Sequence, residues 1–297
     1  MELAILLGTL LILMAIGVPV AIALGTSSLV TLFVLDIPLV VGFQRMAASM
    51  NIFALMAIPF FVFAGDLMHR AGIAERLIRL AEAMLGRSRG GLGQVGVGSS
   101  MMFGAVSGSA IASASAIGSA LGPIMLEKKY DRDYVVNVTA TSAVTGLLIP
   151  PSHNMIIYAA AAGVSISLAD LFLAGFLPGV LTGALLMLVS HCVARNRNYP
   201  RGSFPGWMVL FTSALGAIPG LIAALIIVVG VTSGVFTPTE SAGIAVFYTV
   251  ITALLIYRSL SWQQFLSAVT SSVKTTAMVM FIIGAAGAFG WLLALLE

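Results

Sequence analysis

The chain is poor in charge: only 8% of its 297 residues are Asp, Glu, Lys or Arg, whereas 60% are hydrophobic. Soluble domains carry about 25% charged residues, and surface-to-volume scaling leaves much of any chain of this length exposed to solvent. A water-soluble fold could not hide so much apolar surface. Because a backbone in lipid must satisfy its own polar groups, this composition predicts an all-α polytopic membrane protein in a lipid bilayer.

Other features are nearly or wholly missing. The single cysteine, Cys192, excludes an internal disulfide and a Cys-rich metal site. No HExxH, GxSxG or phosphate-binding-loop pattern occurs, so we expect neither an enzyme nor a catalytic residue. The net charge of +3 indicates cytoplasmic loops rather than a nucleic-acid partner. No basic stretch precedes the first apolar segment, which is therefore interpreted as a retained helix rather than a signal peptide.

Long apolar segments dominate what is present, and several have about 20 residues, enough to cross a hydrocarbon core about 30 Å thick. The first has only about 14 residues, or about 21 Å as a helix. Whether it spans alone or continues through Gly17-Val18-Pro19 into the second stays open at this point. The segments lie at about 3–16, 18–35, 50–69, 134–160, 170–192, 211–232, 238–257 and 275–296.

The basic residues predict an orientation. If residue 1 lies outside and the first two segments span separately, only Arg45 of the fourteen Lys and Arg residues falls outside. The other thirteen obey the positive-inside rule. This assignment of the basic loops to one side of the membrane favours a helix break at Pro19. It also requires that 92–126 does not cross the membrane.

Segment 92–126 is rich in small residues and has basic loops at both ends. We predict a re-entrant helical hairpin, whose two arms of about 15 residues meet at Ser107-Gly108-Ser109 and whose backbone lines a cavity or is buried in protein. The alternative is a tightly packed helix pair, since small residues also let membrane helices approach closely. Gly108 permits a turn that other residues resist. The hydroxyls of Ser107 and Ser109, with freed carbonyls, are suited to a hard cation.

A second interruption lies at Gly146–Asn154, within an otherwise apolar segment. Pro150 and Pro151 remove two amide donors, so the helix must break there. Ser152 and Asn154 are natural N-caps for the restarted half. A break at mid-membrane offers carbonyls to cations and amides to anions. The alternative is a proline kink without a ligand.

The order of elements suggests an internal repeat. Pro19 and Pro238 each lie near the start of a segment that follows an apolar helix. Residues 1–205 would form the first repeat, with five spans and the hairpin, and 206–297 the start of a second, with three spans and no second hairpin. Because five crossings are an odd number, the second repeat would be inverted, an arrangement typical of transporters.

Two acidic residues near helix ends have simple structural interpretations. Asp66 lies four residues before Arg70, where a functional role and an interfacial salt bridge are both open. Thr237-Pro238-Thr239-Glu240 is typical of a capping box with proline at the first helical position.

These motifs resemble the large permease subunit of the tripartite ATP-independent periplasmic (TRAP) transporters. The resemblance runs in order over nearly the whole chain. The residues that carry it are Gly17-Val18-Pro19, Ala57-Ile58-Pro59-Phe60-Phe61, Ala64-Gly65-Asp66-Leu67-Met68, Phe103-Gly104-Ala105-Val106-Ser107-Gly108-Ser109-Ala110, Ile149-Pro150-Pro151-Ser152 with Tyr158, Leu171-Phe172-Leu173-Ala174-Gly175 with Pro178-Gly179, and Phe236-Thr237-Pro238-Thr239-Glu240.

The resemblance implies an inverted-repeat, elevator-type permease, similar to the ion-transporter superfamily, in a bacterial or archaeal inner membrane with its N-terminus outside. It implies sodium-driven import of organic acids such as C4-dicarboxylates, sialic acid or other sugar acids, with Na⁺ as coupling ion and no other cofactor. The expected partners are a small four-helix membrane subunit and a periplasmic solute-binding protein.

The resemblance also implies roles for particular residues. A cation would lie at Ser107, Gly108 and Ser109, with Gly146 and Pro150 nearby. The solute would lie at Pro151, Ser152 and Asn154, again close to Ser107. A histidine at position 153 is not expected from the family pattern.

Family members are longer, and Glu297 falls where a second hairpin should begin. We therefore expect a truncated reading frame, a fragment or one half of a split permease. Two alternatives to the TRAP importer stay open. One is a self-sufficient ion-coupled carrier that needs no binding protein, and the other is an inactive, truncated permease that acts only as a membrane scaffold.

Overall fold

The regular structure of the chain is helical. A computed structural model describes residues 1–162 and 166–296, and within these ranges no β-strand is formed. The end of the predicted second repeat, Glu297, lies outside the described residues. The helices are α1 Glu2–Ala15, α2 Val20–Val34, α3 Leu39–Met50, α4 Ala57–Arg70, α5 Ile73–Leu85, α6 Gly91–Ser107, α7 Ala110–Glu127, α8 Arg132–Ala143, α9 Thr145–Leu148, α10 His153–Ala161, α11 Leu168–Asn196, α12 Trp207–Thr232, α13 Pro238–Ile251 and α14 Trp262–Leu296.

Six helical stretches in the described ranges are long and apolar enough to cross a membrane, and a seventh is counted if α8–α9 and α10 form one bent span. α1 and α2 are shorter apolar helices. The chain is thus an all-α polytopic membrane protein, as its composition predicts. The six stretches are Phe53–Arg70, Ala110–Glu127, Leu168–Asn196, Trp207–Thr232, Pro238–Ile256 and Trp262–Leu296.

Most predicted segments correspond to helices, with some shifted limits. The break before Pro19 is confirmed, since α1 ends at Ala15 and α2 begins at Val20. The last predicted segment, 275–296, starts too late, because α14 begins at Trp262 and runs for 35 residues. The polar residues that obscured this start lie in its first turns.

Two helices, α3 and α5, were not predicted. Both are amphipathic and too short to span, so a search for long apolar runs overlooks them. In α5 the buried residues Ile73, Leu77 and Leu80 recur at helical spacing, while Arg76 and Arg79 made the stretch look like a basic loop. Periodicity, rather than hydropathy, was the signal that could have found it.

The chain divides into two compact units. The first consists of residues 1–56 and 273–297, and the second of residues 57–272. This division follows spatial proximity, so the repeat boundary near residue 205 stays a prediction. In the first unit Leu6, Leu32 and Leu292 form a small core. The guanidinium of Arg45, the one cation predicted to lie outside, lies 4.6 Å from the ring centre of Trp291, as in a cation–π pair.

The second unit has its core around α6, the first arm of the predicted hairpin. Fourteen of the seventeen residues of α6 are buried, whereas six of the eighteen residues of α7, the second arm, are buried. Because α7 is itself long and apolar enough to cross a membrane, re-entry of the hairpin stays a prediction. Buried polar groups join α6 to its neighbours: Ser100 Oγ and Ser142 Oγ lie 2.9 Å apart, and Gln94 donates to the Met187 carbonyl at 2.7 Å. Ser100 and Gln94 thereby tie α6 to α8 and α11.

Polar and aromatic contacts close one end of the second unit. Arg197, just after α11, contacts Asp131 and Asp133 at 2.9 Å each. Tyr199 donates to Asp131 at 2.7 Å, and its ring centre lies 4.5 Å from that of Tyr130. These contacts attach the exit of α7 to the end of α11.

We expect stability to depend on Tyr130 at high pH. Burial raises the pKa of the Tyr130 phenol from 10.0 to about 12. Because the folded state keeps the phenol neutral, this contribution is complete below pH 10 and is lost between pH 10 and about 12. Thermal unfolding in detergent should therefore show a fall in unfolding free energy over this interval, and Tyr130→Phe should reduce that fall by about 2 kcal/mol. At pH 8 the interval has not been reached, so an effect of Tyr130→Phe on the pH slope there would contradict this explanation.

Candidate functional site

The predicted hairpin tip is a tight turn between two helices. α6 ends at Ser107, Gly108 has a φ of +62°, and α7 begins at Ala110. Such a φ lies in the left-handed region, which glycine adopts at little cost. The Gly108 amide donates to the Gly104 carbonyl at 2.7 Å. Ser109 is the N-cap of α7 and accepts from the Ala112 amide at 3.3 Å, so its hydroxyl stabilises the turn itself.

The predicted helix break is also present. α9 ends at Leu148, α10 begins at His153, and the two halves are bent by 53°. Ser152 stands at the N-cap position with extended backbone. Its side chain makes no capping hydrogen bond, so the first amides of α10 have no partner from that side chain.

Tip and break lie against each other, although more than forty residues separate them in sequence. A Cβ atom built on Gly108 would lie 2.8 Å from the Pro151 carbonyl oxygen and 3.3 Å from the His153 nitrogen. One helical turn earlier, the backbones of Gly104 and Gly146 touch directly. Glycine is required at positions 104 and 108 because no side chain fits between the hairpin tip and the helix break.

Two more helices enclose this contact. On one side α4 approaches the tip, where a Cβ on Gly65 would lie 3.1 Å from the Ser107 carbonyl oxygen. On the other side α11 approaches the break, where a Cβ on Gly179 would lie 3.1 Å from the Ile149 nitrogen and one on Gly175 2.7 Å from the Leu148 carbonyl oxygen. Tip and break are therefore held between backbone on both flanks.

Several polar atoms at the contact lack partners. Ser152 is fully buried, yet its Oγ has no hydrogen-bond partner among the described residues, and the same is true of His153 Nδ1. Ser107 is buried, and its Oγ accepts only a long bond of 3.4 Å from the Ser109 amide. An unpaired buried hydroxyl costs about 1–3 kcal/mol, and this cost disappears when a ligand binds to it.

The polar groups nearest the contact are hydroxyls, carbonyls, amides and the imidazole of His153. No three His, Cys, Asp or Glu residues gather into a metal-binding group in the described parts of the chain. Hydroxyl and carbonyl oxygens are ligands for hard cations, and the free amides at the start of α10 favour an anion. These are the kinds of group that a cation and a carboxylate would use, and a ligand at this contact stays a prediction.

The structure brings most of the predicted site residues together and corrects one detail. Asn154 is not an N-cap, because it lies in the first turn of α10 and is exposed. The sequence Ser-His-Asn offers more than one candidate N-cap. The helix restarts directly after the prolines, so that Ser152, the first candidate, takes the N-cap position. Gly146 is buried against Gly104, where its evident role is packing, and its proximity to a cation stays a prediction.

The two acidic residues have structural roles here. Asp66 accepts from Arg70 Nε at 3.0 Å, so the i,i+4 pair is confirmed. Thr237 and Glu240 form the predicted reciprocal capping box at the start of α13.

The sequence interpretation predicted α4 and α11 as apolar segments but did not place them beside the site. Gly65 lies within a recognised motif but was not assigned a packing role. Gly175 and Gly179 lie four residues apart, on one face of α11, and this spacing was the signal that could have predicted a close neighbour.

Comparisons with known proteins place these features in a wider group. Residues 7–297 match the family model described as "Tripartite ATP-independent periplasmic transporter, DctM component". The chain is 38% identical over 290 residues to the uncharacterized protein YgiK of Salmonella typhimurium, which covers 97% of this chain and 66% of that protein. It is 36% identical over 298 residues to the 2,3-diketo-L-gulonate TRAP transporter large permease protein YiaN of Escherichia coli, covering 100% of this chain and 70% of that protein.

A third relative is named after a different organic acid. The chain is 34% identical over 307 residues to the C4-dicarboxylate TRAP transporter large permease protein DctM of Rhodobacter capsulatus, with 99% of this chain and 70% of that protein covered. The chain thus spans about two thirds of the length of these relatives.

Proposed function

The chain belongs to the DctM component family of the tripartite ATP-independent periplasmic transporters, and we propose that it is the large membrane subunit of a sodium-coupled importer of small organic acids. One observation carries the proposal: the tip at Gly108 meets the helix break at Pro151–His153, where buried polar groups lack partners. Helix breaks of this kind form ion and solute sites in secondary transporters.

In this proposal the cation and the solute share the contact. Sodium would bind among the hydroxyls and carbonyls of Ser107, Gly108, Ser109 and Pro150. The carboxylate would bind at the start of α10, where the Ser152 hydroxyl and the first amides are available. C4-dicarboxylates, sialic acid and other sugar acids, after which relatives are named, are the proposed solutes.

The remaining features of the importer follow from the family. The proposed partners are a small four-helix membrane subunit and a periplasmic binding protein that delivers the acid. The proposed location is the inner membrane, with residue 1 outside. The proposed movement is of the elevator type, in which hairpin and broken helix travel together. Their direct backbone contact supports such a joint movement, since packed segments do not deform continuously.

Reconstituted transport tests this function. Proteoliposomes would contain this chain, a four-helix subunit and a binding protein loaded with a radiolabelled C4-dicarboxylate or sugar acid. We expect uptake with an inward sodium gradient and none with a potassium gradient of the same size. Uptake without the binding protein would favour a self-sufficient carrier instead. Failure of every acid, with each partner matched, would support a scaffold without transport activity.

The two prolines should matter for uptake but not for insertion. In the variant Pro150→Ala/Pro151→Ala, the amides return and the restriction on helical backbone is lost. Because α11 still packs closely against Leu148 and Ile149, part of the break should persist, and we expect uptake to fall about fivefold, or about 1 kcal/mol. Pro123→Ala, a proline within α7, is the control. Equal uptake by all three proteins would exclude a role of the break.

A further inference from the structure

A basic pocket lies at the base of the second unit, where α5, the start of α6, the end of α7 and the segment before α12 meet. Its volume is about 650 Å³. The charged residues that line it are Arg79, Glu82, Lys128 and Arg201, and we call it the basic pocket below. Three cations against one carboxylate give it a net positive charge.

The three cations of the basic pocket form no ion pair in the described residues. Within residues 1–162 and 166–296, neither Arg79, Lys128 nor Arg201 lies within 4.0 Å of a carboxylate oxygen, whereas Arg70 and Arg197 form ion pairs. The fold thus neutralises other basic side chains, whereas the charges of these three stay unpaired around one cavity in the described residues. Guanidinium groups bind phosphate in bidentate fashion, and an ammonium adds a point charge.

The rest of the lining is mixed. Hydroxyls are present on Tyr130, Ser203 and Ser213, while Leu92 and Val209 supply apolar surface. This combination of cations, hydroxyls and an apolar wall matches a phosphate attached to a polar linker with apolar chains. A purely structural cluster of basic residues on the cytoplasmic side would require neither the cavity nor the apolar wall.

The loops around the basic pocket are fixed to each other. The Gly90 amide donates to the Pro200 carbonyl at 3.1 Å, and Arg201 Nε donates to the Arg87 carbonyl at 3.4 Å. These bonds join two loops that lie more than a hundred residues apart. The pocket is therefore a preformed feature, which lowers the cost of binding a ligand.

The basic pocket is separate from the proposed transport site. It is lined by Gly91 and Leu92 at the start of α6, whereas the hairpin tip follows Ser107 at its end. At 1.5 Å per residue, the sixteen steps from Gly91 to Ser107 correspond to about 24 Å. A ligand in one site does not touch the other.

We propose that the basic pocket binds a phosphate-bearing anion, and that its source is the headgroup of an anionic glycerophospholipid from the surrounding leaflet. Basic pockets between membrane helices on the cytoplasmic side are a known way to hold such headgroups. A soluble phosphate ester carries the same recognition chemistry and is the second source that the experiment must separate. The proposal does not depend on the transport function.

Native mass spectrometry of the full chain in detergent tests the proposal, with added phosphatidylglycerol or phosphatidylcholine as probes. The pocket variant is Arg79→Gln/Lys128→Gln/Arg201→Gln. The matched control, Lys129→Gln/Arg132→Gln/Arg195→Gln, removes the same charge from exposed positions outside the lining. We expect the chain to prefer phosphatidylglycerol, the pocket variant to bind it about tenfold more weakly, and the control to change its affinity less than about twofold.

Two further arms make the outcome decisive. Ser213→Phe places an aromatic ring in the cavity and keeps all three cations, so it should also weaken phosphatidylglycerol binding, even if the triple variant does not fold. Glycerol 3-phosphate at millimolar concentration should leave the bound lipid in place; displacement would assign the pocket to a soluble phosphate ester instead. Equal loss in pocket variant and control, no preference over phosphatidylcholine, or wild-type binding by Ser213→Phe would each overturn the proposal.

Discussion

Gly108→Ala is expected to lower sodium-dependent uptake about a hundredfold while the chain still inserts into the membrane. Two costs add at this position. A non-glycine residue in left-handed backbone costs about 1–2 kcal/mol, and the new Cβ would lie 2.8 Å from the Pro151 carbonyl oxygen, where overpacking costs about 1–3 kcal/mol. Each 1.4 kcal/mol corresponds to about a factor of ten. The clash falls on backbone, which cannot rotate away.

A second glycine separates the two costs. Gly234 has a φ of +73°, close to that of Gly108, but a Cβ added there meets nothing within 4 Å. Gly234→Ala therefore carries the backbone strain without the clash, and uptake should fall by no more than about tenfold. Uptake and folded yield of both variants would be measured in the same proteoliposomes. Equal effects would mean that the contact between tip and break does not matter for transport.

The two interruptions could be predicted because their causes are local. Gly108 between two serines marks a turn, and Pro150-Pro151 forbids a continuous helix whatever the surroundings. Membrane residence follows from composition in the same way. The break at Pro19 is likewise predictable, since both the distribution of basic residues between the two sides of the membrane and the helix-breaking effect of proline indicate it.

What the sequence could not reveal depends on residues far apart in the chain. Nothing near Gly108 shows that its partner is the Pro151 carbonyl, more than forty residues away. The close approach of Gly65 to Ser107 and the joining of Gly90 to Pro200 are likewise set by packing. α5 escaped detection for a different reason, because its short apolar face is interrupted by arginines, and hydropathy averages the two.

Ser152→Ala should separate transport from stability. The Ser152 hydroxyl is buried and has no partner among the described residues, so its removal breaks no hydrogen bond of the folded chain. We expect the midpoint of thermal unfolding to stay within about 1 °C or to rise slightly, since an unsatisfied buried group is itself unfavourable. A structural role would produce the opposite result.

Ser152→Ala should also weaken binding of the organic acid. A hydrogen bond to a charged group contributes about 1.5–3 kcal/mol, so the apparent affinity for the transported acid should fall about thirtyfold. Ser142→Ala is the matched control: Ser142 is equally buried, but its Oγ lies 2.9 Å from Ser100 Oγ. Removing it leaves Ser100 without this partner and should lower the unfolding midpoint by about 3 °C, with little effect on affinity in the part that remains folded.

Opposite results are therefore expected for the two serines, because the Ser142 hydroxyl has a hydrogen-bond partner and the Ser152 hydroxyl has none among the described residues. Concentration dependence of uptake and thermal unfolding, measured on the same preparations, decide between them. If Ser152→Ala lowers the unfolding midpoint as much as Ser142→Ala and leaves the affinity unchanged, then Ser152 is a packing residue and the free amides of α10 must bind the carboxylate without it. If instead affinity falls and stability does not, the cost of the unpaired hydroxyl is recovered only when the acid binds, which is how a buried polar group without a partner can persist.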